Sequence, residues 1–381
     1  MKKAIGIELF AGCGGLSTGF LDAGLHVAAG FEIDQRAVDA YEYNHGYRGS
    51  RGHVADLSEV SGSQLLELAG IEHVDFVIGG PPCQPFSIAG KRQGALDGRA
   101  GLIGHFIRIV GELRPDALML ENVPNLASIA DGAILEDAKI ALRHLGYCVD
   151  HAVASAADFG VPQNRKRLIV LGIRGKRTIS FPTPSHGTFD SPFRTSSEAI
   201  TDLPDAGEFG ETGIFNHEPT AHSPDMIERL RWLEVGKRER GSFHDRLHPD
   251  RPSYTLRAGS GNFSPLRPVH YKHHRVITVR ESARLQGFSD DFIWPDRIPR
   301  LQQYRQVGNA VAPPMASAFA ACLAEQMGWG LDKDTLRGDP STRPPANELT
   351  DDQRKAMRMA RVRGASLGKV AQLAARIKSR R

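Results

Sequence analysis

Short apolar runs alternate with amphipathic segments through the first 175 residues of the chain. The runs "AIGIELF", "HVAAGFE", "HVADL", "VDFVIGG", "ALMLENV", "CVDHAVAS" and "RLIVLGI" have the length and composition of buried strands. Segments such as "GLIGHFIRIVGELR" and "AILEDAKIALRHLG" repeat apolar residues at helical spacing. This alternation predicts an α/β fold with a doubly wound, mostly parallel sheet, in which ligands bind at the carboxyl ends of the strands.

The alternation stops from about residue 178 to residue 277. Pro, Gly, Ser, His and Arg become frequent there, and "SPDMIERLRWLEVG" is the one long amphipathic segment. Between residues 226 and 280, twelve Lys or Arg stand against five acids. This local excess favours a smaller, irregular module that binds a polyanion, and a solvated basic face is the alternative.

Composition is that of a soluble globular protein with a main domain and a smaller one, at 381 residues and 40% hydrophobic content. Since no apolar run approaches the roughly 20 residues of a membrane span, and "MKKAIGIELF" does not suit a signal peptide, we expect a cytoplasmic protein without membrane contact. The net charge is +4, but residues 354–381 carry ten Lys or Arg and no acid, so the remainder sums to 4 − 10 = −6. Basic character is therefore local.

A glycine-rich turn, "ELFAGCGGLSTGF", joins the first predicted strand to the first helix. Gly12 and Gly14 would let a ligand approach the backbone at the helix N-terminus. Glu32 ends the second strand, where a carboxylate can accept both ribose hydroxyls, and Asp56 follows the third, within reach of an adenine amino group. The spacing differs from the dinucleotide G-x-G-x-x-G, so we predict an adenosine ligand without a pyrophosphate. Surface carboxylates at strand ends are the alternative for either acid taken singly.

Three further motifs place reactive side chains at the same predicted edge. "GGPPCQPFS" sets Cys83 after the fourth strand, between prolines that restrict the backbone and hold the thiol outward. "ENVPN" puts Glu121 at the end of the fifth strand, and "QNRKR" puts Arg165 and Arg167 on one face of a later strand. A thiol, a carboxyl group and two guanidiniums should thus converge beside the adenosine ligand. The four cysteines show no metal-site spacing, and we predict no metal.

These motifs, in this order, resemble those of the DNA (cytosine-5)-methyltransferases. The resemblance rests on "ELFAGCGGLS", "GGPPCQPFS", "ENVPN", "QNRKR", "RPSYTLRAG" and "QVGNAVAPP", and it extends to about Gly330. It implies the methyltransferase fold, S-adenosyl-L-methionine as cofactor and double-stranded DNA as substrate, with the cytosine flipped out of the helix. Carbon 5 of cytosine is a poor nucleophile, and a thiolate that adds to carbon 6 makes it reactive.

The resemblance also implies a role for each motif residue. Cys83 would be the nucleophile, and Glu121 would protonate or hydrogen-bond ring nitrogen 3. Arg165 and Arg167 would bind the cytosine carbonyl oxygen and a flanking phosphate. The implied cofactor contacts are Phe10, Gly12, Gly14, Glu32, Ile33, Asp56, Pro81 and Asn309. The implied DNA contacts are Ser87, Lys91, Arg92, Arg99, Gln163 and Arg251.

The resemblance divides the chain into a catalytic domain in two parts, 1–177 and 278–330, around a target-recognition domain at 178–277. Residues 331–381 are expected to be a linker, "RGDPSTRPPANE", followed by a basic tail that adds non-specific DNA affinity. Glu8 stands where the family usually has Asp. The expected role is that of a monomeric bacterial methylase for one short, unread target, acting alone or alongside a cognate restriction endonuclease.

Two other functions fit parts of the sequence. A tRNA cytosine methyltransferase of the same family would share the Cys and Glu chemistry, but its typical Cys-Phe-Thr motif is absent. A DNA-binding protein that kept the fold without activity would not need Cys83, Glu121, Arg165 and Arg167. A thiol redox enzyme would need a second cysteine near Cys83 in the sequence.

Overall fold

A seven-stranded sheet forms the centre of the protein. The computed structural model describes residues 2–82, 101–207, 209–239, 244–259 and 267–347. The strands of the sheet are β1 Ile5–Leu9, β2 His26–Glu32, β3 Arg51–Val54, β4 Phe76–Gly79, β5 Ala117–Asn122, β6 Tyr147–Ser155 and β7 Lys166–Arg174. Their order across the sheet is β3-β2-β1-β4-β5-β7-β6.

The direction of the strands confirms the predicted doubly wound, mostly parallel sheet. Neighbours from β3 to β5 pair in parallel, and β7 runs antiparallel to both β5 and β6. As a result, the carboxyl ends of β1, β2, β4 and β5 lie at the same edge as the start of β7. We call this the catalytic edge.

Helices cover both faces of the sheet, and several short helices lie in the smaller region at residues 178–277. They are α1 Gly15–Ala23, α2 Gln35–His45, α3 Gly62–Ala69, α4 Gly101–Leu113, α5 Ala133–His144, α6 Ser196–Ile200, α7 Phe209–Thr212, α8 Pro224–Trp232, α9 Val279–Gln286, α10 Arg300–Asn309, α11 Pro313–Met327 and α12 Lys333–Arg337. Short 3-10 turns lie at Gly46–Arg48, Pro124–Ala127, Ile129–Gly132, Ala156–Phe159 and Pro340–Thr342. Paired two-residue strands join Lys2–Lys3 to Trp329–Gly330 and Asp245–Arg246 to Pro268–Val269.

Two hydrophobic cores fill the two faces of the sheet. One face packs against α1 and α11 through residues such as Phe20 and Phe319. The other packs against α3, α4 and α5, with Phe106 and Leu142 at its centre. Apolar residues fill both cores. Because the strands are buried between these cores, their sequences are apolar runs, and this is why the strands could be predicted from the sequence.

A third core joins the middle region of the chain to the last helices. Ile200, Leu247 and Leu256 pack there with Trp294 and Val307. Thus the described part of residues 178–277 shares its core with α9 and α10 rather than enclosing one of its own. The sequence pattern did not predict α10, because few residues of this helix are apolar. In the structure, "QVGN" forms the last turn of α10.

The described segment that follows α11 folds back onto the main domain. Leu336 and Ala346 are buried, and Arg343 stacks over the ring of Tyr47 at 4.5 Å. The backbone N–H of Asp296 donates to the carbonyl of Ala346 at 3.1 Å. Most of residues 331–347 are exposed, and these contacts hold the predicted linker segment against the main domain. Residues 348–381, which include the predicted basic tail, lie outside the described residues.

One helical stretch in the described ranges, Arg300–Met327, is long and apolar enough to cross a membrane. It comprises α10 and α11, and 67% of its most apolar window is buried inside the fold. This is the behaviour of core helices, and α11 packs directly against the sheet.

Candidate active site

The structure places several predicted site residues side by side along the catalytic edge. Glu32 ends β2, Gly12 follows β1, Pro81 follows β4, Glu121 lies near the end of β5, and Arg167 begins β7. Since these strands are neighbours, the order along the edge runs from the predicted cofactor residues to the predicted catalytic ones.

The glycine-rich turn after β1 is held beside Glu32. Gly12 and Gly14 take left-handed φ angles of 55° and 88°, which favour glycine. The Glu32 carboxylate accepts the N–H of Gly12 at 3.0 Å through Oε2, and those of Ile33 and Asp34 at 2.8 and 3.2 Å through Oε1. A Cβ added at Gly12 would meet nothing within 4 Å, so a ligand can reach this backbone.

The neighbouring side chains provide the other groups that an adenosine ligand needs. Ile33 is 64% exposed and offers an apolar face next to Glu32. Asp56 accepts Ser58 N–H and O–H at 2.9 and 2.6 Å, and these bonds lower the pKa of its carboxyl group. Phe10 ends the strand at a φ of 56°. An open glycine-rich turn, two carboxylates and an apolar face together fit S-adenosylmethionine.

Asn309 reaches this region from the far end of the sequence. The Cys13 thiol, in the glycine-rich turn, lies 3.8 Å from the carbonyl of Gln306, and Gly15 packs against the carbonyl of Val311. The exposed Asn309 therefore lies in a turn that abuts the glycine-rich turn. We call residues 308–310 the cofactor turn.

Glu121 and Arg167 form a nearly buried ion pair at 2.7 Å, with about one tenth of each side chain exposed. Burial raises the pKa of the Glu121 carboxyl group, while the charges of Arg167 and Arg165 oppose that rise. A carboxyl group in this setting can hold a proton closer to neutral pH than an exposed one.

The chain that leads to the predicted nucleophile touches the same carboxyl group. A Cβ added at Gly80 would lie 3.0 Å from Glu121 Oε2, and Asn122 Nδ2 donates to the carbonyl of Pro81 at 2.9 Å. Pro82 is the last described residue before Cys83. Cys83 itself lies outside the described residues, as do the predicted DNA contacts Ser87, Lys91, Arg92 and Arg99, so their roles stay predictions.

Gln163 and Arg165 are fully buried, unlike Arg167. Arg165 donates through Nη1 to the carbonyl of Leu256 at 3.1 Å, and through Nη2 to those of Gly308 and Ala310 at 2.9 Å each. Burial, together with the charge of Arg167, lowers the pKa of its guanidinium to about 9. Both side chains are buried in this structure, and their predicted contacts with DNA and with the cytosine stay predictions.

Glu8 lies beneath the glycine-rich turn in a buried polar chain. It accepts Ser17 N–H at 2.9 Å and the Ser17 hydroxyl, which also contacts Tyr41 Oη at 2.8 Å. Tyr41 in turn meets Ser50 Oγ at 2.7 Å. Burial raises the pKa of Glu8 to about 8. Burial thus favours the neutral form of this acid.

A cleft of about 260 Å³ lies where the "QNRKR" and "RPSYT" segments meet, and Asn164, Tyr254 and Thr255 are among its lining residues. The predicted DNA contact Arg251 is exposed. Thr255 Oγ1 donates to the carbonyl of Asn164 at 2.5 Å, and the Tyr254 hydroxyl donates to the carbonyl of Gly236 at 2.7 Å. Arg257 lines the cleft, is exposed, and forms no hydrogen bond or ion pair in the described part of the chain. Sequence reasoning missed Arg257, although its place two residues after Thr255 in an extended motif was a usable signal.

The comparisons with known proteins agree with this geometry. The model of the C-5 cytosine-specific DNA methylase family matches residues 5–325. The chain is 36% identical over 332 residues to the type II methyltransferase M1.HphI of Haemophilus parahaemolyticus, covering 83% of this chain and 86% of the relative. It is 34% identical over 376 residues to M.XorII of Xanthomonas oryzae, covering 86% of each.

Solved structures give the same answer for the fold. A prophage-encoded E. coli protein, described as a DNA modification methyltransferase, superposes with a TM-score of 0.70 at 29% identity, covering 85% of this chain and 99% of that one. The S. pombe Dnmt2 methyltransferase superposes with a TM-score of 0.62 at 17% identity, which shows the fold alone. From its sequence match, its sheet order and its site, this chain belongs to the C-5 cytosine-specific DNA methylase family, whose members transfer a methyl group from S-adenosylmethionine to carbon 5 of cytosine in DNA.

Proposed function

We propose that the chain methylates its target through a covalent adduct between Cys83 and carbon 6 of a cytosine flipped out of duplex DNA. The observation that carries this proposal is the buried Glu121–Arg167 pair, which lies directly against Gly80 in the segment that leads to Cys83. When bound, S-adenosylmethionine supplies an electrophilic methyl group. The residues of the chain must make carbon 5 nucleophilic enough to accept it.

The proposed chemistry divides between the thiol and the ion pair. The Cys83 thiolate adds to carbon 6, and the electron density displaced toward the ring is met by a proton or hydrogen bond from Glu121 at nitrogen 3. Arg167 holds the Glu121 carboxyl group and moderates its pKa. Transfer of the methyl group to carbon 5 would leave S-adenosylhomocysteine. A base, such as water, then takes the proton from carbon 5, the carbon 6–sulfur bond breaks to release the Cys83 thiolate, and nitrogen 3 returns its proton to Glu121.

The proposed cofactor site contains a side chain for each part of the adenosine group. The Glu32 carboxylate, fixed by three N–H groups, would accept ribose hydroxyls, and Asp56 would accept the adenine amino group. The exposed Ile33 side chain would lie against the adenine ring. Binding of S-adenosylhomocysteine measured by calorimetry should weaken at least tenfold in Glu32→Ala, and unchanged binding would remove Glu32 from the site.

We further propose that residues 178–277 recognise one short duplex sequence and that the cleft beside Arg257 binds the DNA backbone. The Arg257 guanidinium has no partner within the described ranges, and at the rim of a concave surface such a group is suited to a phosphate. The predicted loop residues Ser87, Lys91, Arg92 and Arg99, and the exposed Arg251, would extend this contact. The activity would take place in the cytoplasm, where the DNA substrate lies.

The basic tail is proposed to add non-specific, salt-dependent affinity for DNA. Residues 331–347 should be kept in the test, because Leu336, Arg343 and Ala346 contact the main domain. Deletion of residues 348–381 is expected to weaken DNA binding at low salt while leaving thermal stability unchanged. Equal affinity of the shortened and full chains at low salt would rule the tail out as a DNA contact.

The biological setting is proposed to be modification of DNA against a restriction endonuclease that reads the same site, with the methylase acting as a monomer. Support comes from relatives that are named type II methyltransferases. Bisulfite sequencing of a plasmid from an expressing host would reveal the target sequence. Protection of that plasmid from an endonuclease with the same target would support the proposed role, and full cleavage would contradict it.

A further inference from the structure

A buried polar cluster ties the recognition side of the protein to the cofactor side. The cluster consists of Gln163, Arg165 and Gln286, each of which is fully buried. Gln163 Nε2 donates to Gln286 Oε1 at 2.7 Å, and Gln286 Nε2 donates to the carbonyl of Ala310 at 2.5 Å. The side-chain amide of Gln286 thus bridges the "QNRKR" motif and the cofactor turn through two hydrogen bonds.

The same cluster also bonds both backbone polar groups of Leu256, the residue that follows the "RPSYT" motif. Gln163 Oε1 accepts the Leu256 N–H at 3.0 Å, and Arg165 Nη1 donates to the Leu256 carbonyl at 3.1 Å. Leu256 is the immediate neighbour of Arg257, which lines the proposed DNA cleft. A displacement of this segment by bound DNA would therefore act directly on the two cluster side chains.

On the other side, the cluster fixes the orientation of the cofactor turn. Arg165 Nη2 lies 2.9 Å from the carbonyls of both Gly308 and Ala310, so the carbonyls on either side of Asn309 are clamped. Gly308 also packs closely on the backbone of Arg257 and Ala258, leaving no room for a Cβ. The cofactor turn and the DNA cleft are consequently two surfaces of one packed unit.

We propose that Gln163, Arg165 and Gln286 are positioning residues that couple DNA docking to cofactor binding. The inference rests on the proposed DNA cleft and cofactor turn. The guanidinium of Arg165 is shared by carbonyls on both sides, so an arrangement that suits one side constrains the other. Such coupling is reciprocal, so that DNA tightens cofactor binding by the factor by which cofactor tightens DNA binding.

The test measures that factor in Gln286→Met. Methionine keeps the volume of the side chain and removes both amide bonds. The dissociation constant of S-adenosylhomocysteine is measured by calorimetry with and without the target duplex found by bisulfite sequencing. In the unaltered protein the duplex should tighten binding about tenfold, and in Gln286→Met less than about threefold. Arg165→Lys, which keeps the charge but reaches fewer carbonyls, should lose the coupling as well.

Gln303→Met is the matched control. Gln303 is another buried glutamine, whose Nε2 donates to the carbonyl of Ile298 at 2.8 Å and whose Oε1 accepts from Asn216. It touches neither Leu256 nor the cofactor turn through a hydrogen bond in the described ranges. Gln303→Met should therefore lower thermal stability about as much as Gln286→Met while keeping the tenfold coupling.

The outcomes separate this inference from the proposed function. A coupling factor that is equal in Gln286→Met and the unaltered protein overturns the inference, as does an unaltered protein that methylates DNA without any coupling. Absence of both DNA binding and methyl transfer in the unaltered protein would instead overturn the proposed function. Should Arg165→Lys fail to fold, the two glutamine variants decide the result.

Discussion

The central sheet and the recognition region satisfy their buried backbone groups in different ways. In the sheet, strand ladders pair the backbone, and the side chains between layers are apolar. In the recognition region, residues 178–277, the described strand pairing spans only two residues a strand. Arginine side chains there donate hydrogen bonds to backbone carbonyls instead. Arg246 bonds the carbonyls of Leu230 and Tyr271 within this region. From α9, just outside it, the buried Arg280 bonds the carbonyl of Phe215 in the region and those of Ser289 and Phe292 beyond it.

This difference changes the meaning of the basic residues in the recognition region. Arg238 is paired with Asp245 at 2.5 Å, and Arg275 forms two bonds of 2.8 Å with Glu281. Several of the basic residues counted in the sequence are thus paired with acids of the protein itself. A basic stretch favours a DNA surface only where, as at Arg257, the guanidinium has no hydrogen-bond or ion-pair partner among the residues that the structure describes.

The largest expected effect falls on the sheet side, at Glu121. Glu121→Gln keeps the shape but cannot exchange a proton at the ring, so the methylation rate constant should fall by about 10²–10⁴. Single-turnover transfer of tritiated methyl to target DNA measures it. Binding of the duplex should remain within about threefold, since Glu121 does not hold the backbone. A rate within tenfold of the unaltered protein would remove Glu121 from the chemistry.

The next effect separates the internal arginines from the exposed one. Arg280→Met leaves three backbone carbonyls without their buried donor, so we expect a loss of about 3 kcal/mol in the free energy of unfolding. Urea denaturation measures this loss. A change below about 0.5 kcal/mol would show that these bonds contribute nothing net.

Arg257→Ala should do the reverse. It should leave the free energy of unfolding within about 0.5 kcal/mol, weaken DNA binding, and reduce the slope of log affinity against log salt by about 0.9. Arg143→Ala, an exposed arginine near the end of α5, is the control and should leave the slope unchanged. If both variants gave the same slope, the cleft would not hold a phosphate.

The last expected effect concerns Glu8 and depends on pH. Its folded-state pKa of about 8 lies above the ordinary 4.5, so the native state binds more protons than the unfolded chain between those values. Stability conferred by the neutral acid is therefore present below pH 4.5 and lost as pH rises toward 8, by up to about 1.4 kcal/mol per pH unit. Glu8→Gln cannot ionise. The difference between its thermal midpoint and that of the unaltered protein should therefore increase in favour of the variant between pH 6 and 9. Parallel curves would contradict the raised pKa.

The sequence predicted the sheet and its edge well, because both depend on local patterns. The run "HVAAGFE" became β2 residue for residue, and Glu32, Gly12 and Glu121 followed from where strands end. The fate of Arg165 could not be predicted in this way. Arg165 and Arg167 share a face by spacing, but which of them is buried depends on Leu256 and Ala310, residues about 90 and 145 positions away.

The central claim is that Cys83 makes a covalent bond to the cytosine that becomes methylated. Nucleoside mass spectrometry of target DNA, incubated with S-adenosylmethionine and either the unaltered protein or Cys83→Ser, tests it most directly. The account predicts 5-methylcytosine with the unaltered protein and none with Cys83→Ser, which should still bind the duplex. Full formation of 5-methylcytosine by Cys83→Ser, or a different methylated base from the unaltered protein, would contradict it.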